Sequence, residues 1–400
     1  MANSEHLALI KQGVAVWNNW YQKHKSVVPD LSRANLSNLN LIGINLTRAN
    51  LRQANLSRAD LSQSKLLNTD LHRTNLLGAN LNDANLKGAN LDYVIFAQAT
   101  INHQTQIAAN YLTVYKIVNQ QLEHKNLSDA DLSNANLFRA NLSQADLSQA
   151  KLINVNLNQA NLNGAYLYKA DLTGANFQDA DLRNAYFSHA NLTSAYFGGA
   201  LCYGTYFKDA ELKFANLKTA QFSHKTIIDP KWYSVWEIVN CDAVKKNLSG
   251  VDLSHANLQG VNFESANLTN AKLNHSILRC SNMTKANLTN TVLIGANLCG
   301  VDLQQAHLEG TKLKSIVSDR HTQLTSDNSN ANHNLPVAVK QIVLESNITA
   351  PTPEQLQQTR KNRWSPLIIV IMALIAVTSY LVLFPDFNLP IQEQLKLWQE

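Results

Sequence analysis

The chain has 400 residues, a formal net charge of +5 and only 16% charged residues. So diffuse a charge announces neither a nucleic-acid binder nor an acidic mimic of one. Its four cysteines, Cys202, Cys241, Cys280 and Cys299, show no CxxC spacing, and no nucleophile elbow, HExxH, P-loop or GxGxxG set occurs, which argues against an enzyme.

Residues 1–11 lack a basic stretch followed by an apolar one, which predicts no cleaved secretion signal. Residues 4–21 read as one helix, with Leu7, Ile10, Val14, Trp17 and Tyr21 three and four apart. A break follows at Pro29-Asp30, so residues 1–28 form an N-terminal helical unit.

From Leu31 to Ile101 a large apolar residue recurs every five positions, and a second block repeats the pattern from Leu127 to Phe222. Two positions before most of these stands a small residue, as in Ala130, Ala135, Ala140, Ala145 and Ala150, and the rest is mostly Asn, Asp, Ser, Gln and charge. A period of five fits neither the 3.6 of a helix nor the 2 of a strand. A corner at every pentapeptide would turn residues i and i−2 inward and i−1, i+1 and i+2 to water. One such unit cannot bury its own leucine; stacked coils can, bonding their backbones at the inter-strand spacing of about 4.8 Å. Length then sets coil count rather than domain count, and Cys202, at an inward position, reads as a small buried apolar residue. The helix of residues 1–28 reads as a cap on the open edge of the first coil.

The pattern Ala130-Asp131-Leu132-Ser133-Asn134, Ala135-Asn136-Leu137-Phe138-Arg139 resembles the A(D/N)LXX motif of the pentapeptide-repeat family. The resemblance covers roughly two thirds of the chain. It implies an all-β fold, a right-handed quadrilateral β-helix with four pentapeptides, hence 20 residues, per coil. The start of the chain, His6-Leu7-Ala8 through Trp17-Asn18 and Pro29-Asp30-Leu31-Ser32, is similar to cyanobacterial members. Some members mimic DNA and protect type II topoisomerases, an activity that goes with strongly acidic faces. Acidic and basic residues are nearly balanced here, and Arg33, Arg48, Arg52, Lys65, Arg73 and Lys87 give block 1 a mildly basic edge. That activity is therefore an alternative reading, with nucleic-acid binding, rather than the leading one.

The organisation that follows is a cap (residues 1–28), block 1 (29–101), an interruption (102–126), block 2 (127–222), an interruption (223–247) and block 3 (248–313). Both interruptions shift the phase by one residue, and they are copies: Tyr111, Val114, Tyr115 and Asn119 match Trp232, Val235, Trp236 and Asn240. In the second, Asp229 can cap a helix, Pro230 suits its first turn and Asn240 can end it. Each interruption thus reads as a short helix laying its apolar face back on the coils, with partner binding as the alternative role.

In block 2, Tyr166, Tyr186 and Tyr206 stand at i−1 positions 20 residues apart, where most repeats have Asn or Asp. They form an outward aromatic column, the candidate binding site for a protein partner, unless the 230–240 helix covers it. His255 and His275 fall about one coil apart, but no third ligand is obvious, and no metal, cofactor or small-molecule substrate is expected. Cys280 and Cys299 share a face in adjacent coils, where a reducing compartment would keep them as thiols.

Residues 314–363 form a polar linker with at most a short helix near 337–344. Residues 367–384 are apolar apart from Thr378, Ser379 and Tyr380, long enough at 1.5 Å per residue to span about 27 Å, with Trp364 as an interfacial anchor. Residues 364–385 are therefore predicted to be a single-pass transmembrane helix, and 386–400 a short tail. Arg360, Lys361 and Arg363 before the span, against Asp386 after it, keep the solenoid on the cytoplasmic side. The sequence points to a non-enzymatic, membrane-anchored scaffold that binds proteins.

Overall fold

The computed structural model describes residues 2–120 and 125–323. Two compact units divide the chain, residues 1–345 and 346–400, and the described residues all belong to the first. They wind into a β-helix whose parallel bridges step by 20 residues, as in Asp30↔Asn50↔Asp70↔Asn90 or Asn136↔Asn156↔Asn176, so four pentapeptides make a coil. The reason is visible in any one repeat. Leu51 donates its N–H to the Asp70 carbonyl and Gln53 to the His72 carbonyl one coil on, while Asn55 and Asp60 donate back to the Ala34 and Leu39 carbonyls. Residue i+2 takes a left-handed conformation in nearly every repeat, as at Arg33 (φ 58°) and Gln53 (φ 58°), which turns the corner. Non-glycine residues rarely adopt it; here inter-coil hydrogen bonds hold it.

The i and i−2 side chains fill the interior. Leu127, Leu147, Leu167, Phe187 and Phe207 form one inner column, and Phe177, Phe187, Phe197 and Phe207 pack with ring centroids 5.1–5.8 Å apart. Cys202 is completely buried among them, and burial drives its thiol pKa far up. The Asn and Asp side chains at i−1 form an outer ladder. Asn50 Oδ1 accepts the Arg52 N–H (3.1 Å), and Asn50 Nδ2 donates to Asp30 Oδ1 of the neighbouring coil (3.0 Å).

At the N-terminus there are two helices, α1 (Ser4–Lys11) and α2 (Val14–Lys23), rather than one across 4–21. Gly13, at φ 111°, breaks them in a conformation open to glycine. Asn3 caps α1, and α2 lies on the coil edge, where Trp17 Nε1 donates to the Asn45 carbonyl and the Tyr21 hydroxyl to that of Thr47.

Helices α3 (Ala109–Val118) and α4 (Pro230–Cys241) stand in the two interruptions. Each follows a 21-residue step, Asn85↔Gln106 and Tyr206↔Ile227, the extra residue that shifts the phase. Asp229 occupies the cap position of α4 without a side-chain bond, and Asn240 does not end the helix, which runs on to Cys241. Instead Asn240 clamps the coil below: its amide donates to the Leu217 carbonyl (3.0 Å) and accepts from the Thr219 N–H. Asn119 makes the same pair of bonds to Phe96 and Gln98. A backbone exposed by the end of a block thus finds its partners on the helix.

Each helix interrupts only part of the stack. Tyr93 donates its N–H to the Asn134 carbonyl (2.8 Å) and Phe214 to that of His255 (2.7 Å), in both cases 41 residues on. One face therefore runs through all three blocks. Asp92 secures the first junction by accepting from the Tyr111 hydroxyl of α3 (2.9 Å) and the Asn134 amide of block 2 (3.3 Å).

No helix among the described residues is long and apolar enough to cross a membrane. The transmembrane segment expected at 364–385, the linker helix expected near 337–344 and the tail 386–400 all lie outside the described residues.

Candidate protein-interaction site

Tyr166, Tyr186 and Tyr206 do form a column. They are bridged in successive coils, and the first two rings stack 5.1 Å apart at 4°, the next pair 6.3 Å apart at 39°. Tyr166 is 48% and Tyr186 44% exposed, and Tyr206 is half-buried. Helix α4 does not cover them, contrary to one of the two expectations. Its Trp236 stacks on Phe222 (4.8 Å, 7°) and donates Nε1–H to the Ala220 carbonyl, while Trp232 is buried. Those contacts close the coil end and leave the outer face free.

The column continues one residue further than the repeat phase suggested. Ile227, bridged to Tyr206 across the 21-residue step, is 49% exposed. Tyr168 and Tyr203 are exposed beside it; the Lys169 ammonium lies 5.2 Å from the Tyr168 ring centre, and His189 meets that ring edge-on at 5.6 Å. The period of five hid Tyr168, an i+1 residue, and Ile227, which belongs to the phase-shifting turn.

Tyrosine at i−1 also costs the fold a bond. Asp146 Oδ1, in the same column, accepts the Ser148 N–H (2.9 Å), and the Ser148 side chain, followed by that N–H, holds its carboxyl below the usual range. A phenol cannot reach back in this way, so three successive tyrosines forgo the turn bond that Asn or Asp would make.

The basic residues of block 1 are partly committed within the solenoid. Arg33 Nε donates to Gln53 Oε1 (2.8 Å), Arg52 pairs with Asp70 (3.1 Å), and the Arg73 guanidinium lies 5.3 Å from the centre of the Tyr93 ring.

The two histidines meet with ring centroids 5.1 Å apart, and Phe214 stacks on His255 across the second junction (5.6 Å). His255 is not a simply solvated surface histidine: its Nδ1 is buried without a partner. Burial, then Lys231, His275 and Lys213, lower its pKa from 6.5, with Asp252 opposing. Among the described residues no group of three or more His, Cys, Asp and Glu could hold a metal ion. The four cysteines are free thiols. Because the folded pKa is depressed, the unfolded chain takes up protons first as pH falls through 6.5, and stability drops. The melting temperature should therefore fall between about pH 7 and pH 5.5, above the carboxylate range. His255→Asn, which tolerates the φ of 60°, should flatten that slope; an unchanged slope would exclude His255 as a contributor.

A family model of pentapeptide repeats matches the chain in eight copies, at residues 30–66, 54–92, 64–102, 121–152, 150–188, 185–223, 247–282 and 281–315. The chain belongs to the pentapeptide-repeat family. No curated protein matches it. Among solved structures, a pentapeptide-repeat protein of the Arabidopsis thaliana thylakoid lumen is 27% identical, over 29% of this chain and 79% of its own, with a TM-score of 0.26. HetL, involved in heterocyst differentiation regulation in the cyanobacterium Nostoc sp., is 21% identical over 75% of this chain and 90% of its own, with a TM-score of 0.14. QnrB1, a plasmid-mediated fluoroquinolone resistance protein, is 16% identical over 54% of this chain and 91% of its own, with a TM-score of 0.17.

Proposed function

We propose that this pentapeptide-repeat protein is a non-enzymatic, membrane-anchored scaffold that binds a protein partner through the column of Tyr166, Tyr186 and Tyr206. The exposed column carries the reading. Tyrosine is enriched at binding hot spots, and here it replaces residues that would make a turn hydrogen bond. Among the described residues the faces are otherwise Asn- and Asp-rich, with no convergent catalytic groups and no strong charge, which favours protein binding over nucleic-acid or topoisomerase-directed binding. The anchor rests on residues 367–384 and their basic flank.

The test replaces all three tyrosines by asparagine. Each substitution loses stacking worth about 0.5–1.5 kcal/mol and regains a turn hydrogen bond of about 0.5–1.5 kcal/mol, so the melting temperature should hardly move. Capture of partners from the native membrane should be lost. A variant that melts as before and captures every partner the unchanged protein captures would end the site assignment. Salt-sensitive DNA binding by a fragment of residues 1–323 would favour the nucleic-acid reading instead.

A further inference from the structure

Backbone pairing between adjacent coils brings two of the four thiols together near the far end of block 3. Cys280 donates its N–H to the Cys299 carbonyl (2.9 Å). With standard bond lengths that contact keeps the two Cα atoms within about 6.8 Å, the outer limit of what a disulfide spans. Cys280 stands at the corner of its repeat, at φ 55°, and its stack neighbours in the coils on either side, Gly260 and Gly300, carry no side chain. Its Sγ points toward the next coil, 3.3 Å from where a Cβ on Gly300 would stand. That space adjoins Cys299, the residue before Gly300. The other two thiols lie elsewhere: Cys202 is completely buried in block 2, and Cys241 ends α4.

The paired thiols differ as a stepwise oxidation requires. Cys280 is exposed and open to a small disulfide, whereas Cys299 is half-buried. Burial, then Asp319, push the Cys299 thiol pKa up, with Arg279 opposing. Because the thiolate is the nucleophile, the exposed thiol reacts first and the shielded one second.

We propose that Cys280 and Cys299 are a redox-modification site, a dithiol that a low-molecular-weight disulfide such as oxidised glutathione converts reversibly into a bond between adjacent coils. The Cys280 thiolate attacks one sulfur of the small disulfide, forms a mixed disulfide and expels one glutathione thiolate. The Cys299 thiolate then attacks the Cys280 sulfur, forms the Cys280–Cys299 bond and expels the second. The two protons lost by the cysteines end on the two glutathione thiols, so two electrons pass from protein to oxidant, and reduced glutathione runs the exchange backward. In a reducing compartment the pair rests as thiols. Once formed, the bond closes a ring of one full coil, residues 280–299, and the chain entropy it removes from the opened state holds the far coils to the stack.

The test equilibrates the full chain in mild detergent with reduced and oxidised glutathione at varied ratios, alkylates the remaining thiols and reads the peptides by mass spectrometry. Oxidation should yield peptides joined through Cys280 and Cys299 within one chain, with Cys202 alkylated only after unfolding. Cys299→Ser should instead accumulate glutathione on Cys280, and Cys280→Ser should leave Cys299 a free thiol. Hydrogen exchange of amides 280–300 should slow by roughly a hundredfold on oxidation, and not at all in the Cys280→Ser chain. Stable glutathione adducts on both cysteines of the unchanged chain, bridges that join two chains, or thiols at 280 and 299 that survive excess oxidised glutathione overturn the proposal. A bridge that forms without slowing exchange overturns the tie between coils.

Discussion

Replacing Leu147 by arginine is expected to abolish the cooperative melt of a fragment of residues 1–323. Leu147 is completely buried in the middle of the inner column of block 2, and its N–H bonds to the Tyr166 carbonyl one coil on. Removing the leucine alone sacrifices about 1.5–3 kcal/mol of burial, and truncation to alanine about 2–5 kcal/mol once the cavity is counted. Arginine adds a charge to an interior that offers apolar neighbours such as Ala145, Ala150, Leu142 and Leu152, with nothing to pair it. In a solenoid each coil is held by its neighbours, so a coil that cannot close breaks the stack in two instead of weakening one contact. Circular dichroism should lose its β-type signal and its sharp transition together. A variant that still melts sharply at the original temperature would mean that position 147 does not face the interior.

The parts of this fold that follow from a five-residue period were legible in the sequence. Leu147 and Ala145 face inward, Asn50 and Tyr166 outward, and the 20-residue spacing of Tyr166, Tyr186 and Tyr206 did make a column. What escaped depended on backbone geometry and on contacts between distant residues. Left-handed conformations at Arg33 and Gln53 are invisible in residue type because inter-coil bonds impose them. Asn and Asp at i−1 read as solvated surface, yet Asn50 bonds both its own turn and the preceding coil. The helical spacing from Leu7 to Tyr21 continues smoothly through Gly13, so only the φ of 111° reveals two helices. Asn240 has the residue type of a helix end, and its amide instead holds a coil that the sequence places 23 residues earlier. The unbroken face joining Tyr93 to Asn134 and Phe214 to His255 could not be read either. A phase shift along the chain does not say which of four faces continues across it.

Deleting residues 364–400 is expected to move the protein quantitatively from the membrane to the soluble fraction. The run 367–384 has no charged side chain and only Thr378, Ser379 and Tyr380 as polar interruptions. A helix of that length covers about 27 Å, close to the thickness of a bilayer's hydrocarbon core of roughly 30 Å. A soluble helix with no polar face needs a protein interior to bury it, whereas the stretch before this run, 318–363, is rich in Asn, Ser, Thr, Gln and Pro. Arg360, Lys361 and Arg363 before the run and Asp386 after it are expected to set the orientation, through the preference of basic flanks for the cytoplasmic side. Two measurements follow from the physics. Alkaline carbonate, which strips proteins held by charge, should leave the full chain in the pellet, because it does not weaken burial of an apolar helix in lipid. Protease added to sealed vesicles with the cytoplasmic side inward should spare the solenoid and reach only the residues after 385. Extraction by carbonate would mean that 367–384 does not span, and digestion of the repeats in those vesicles would reverse the orientation while keeping the anchor.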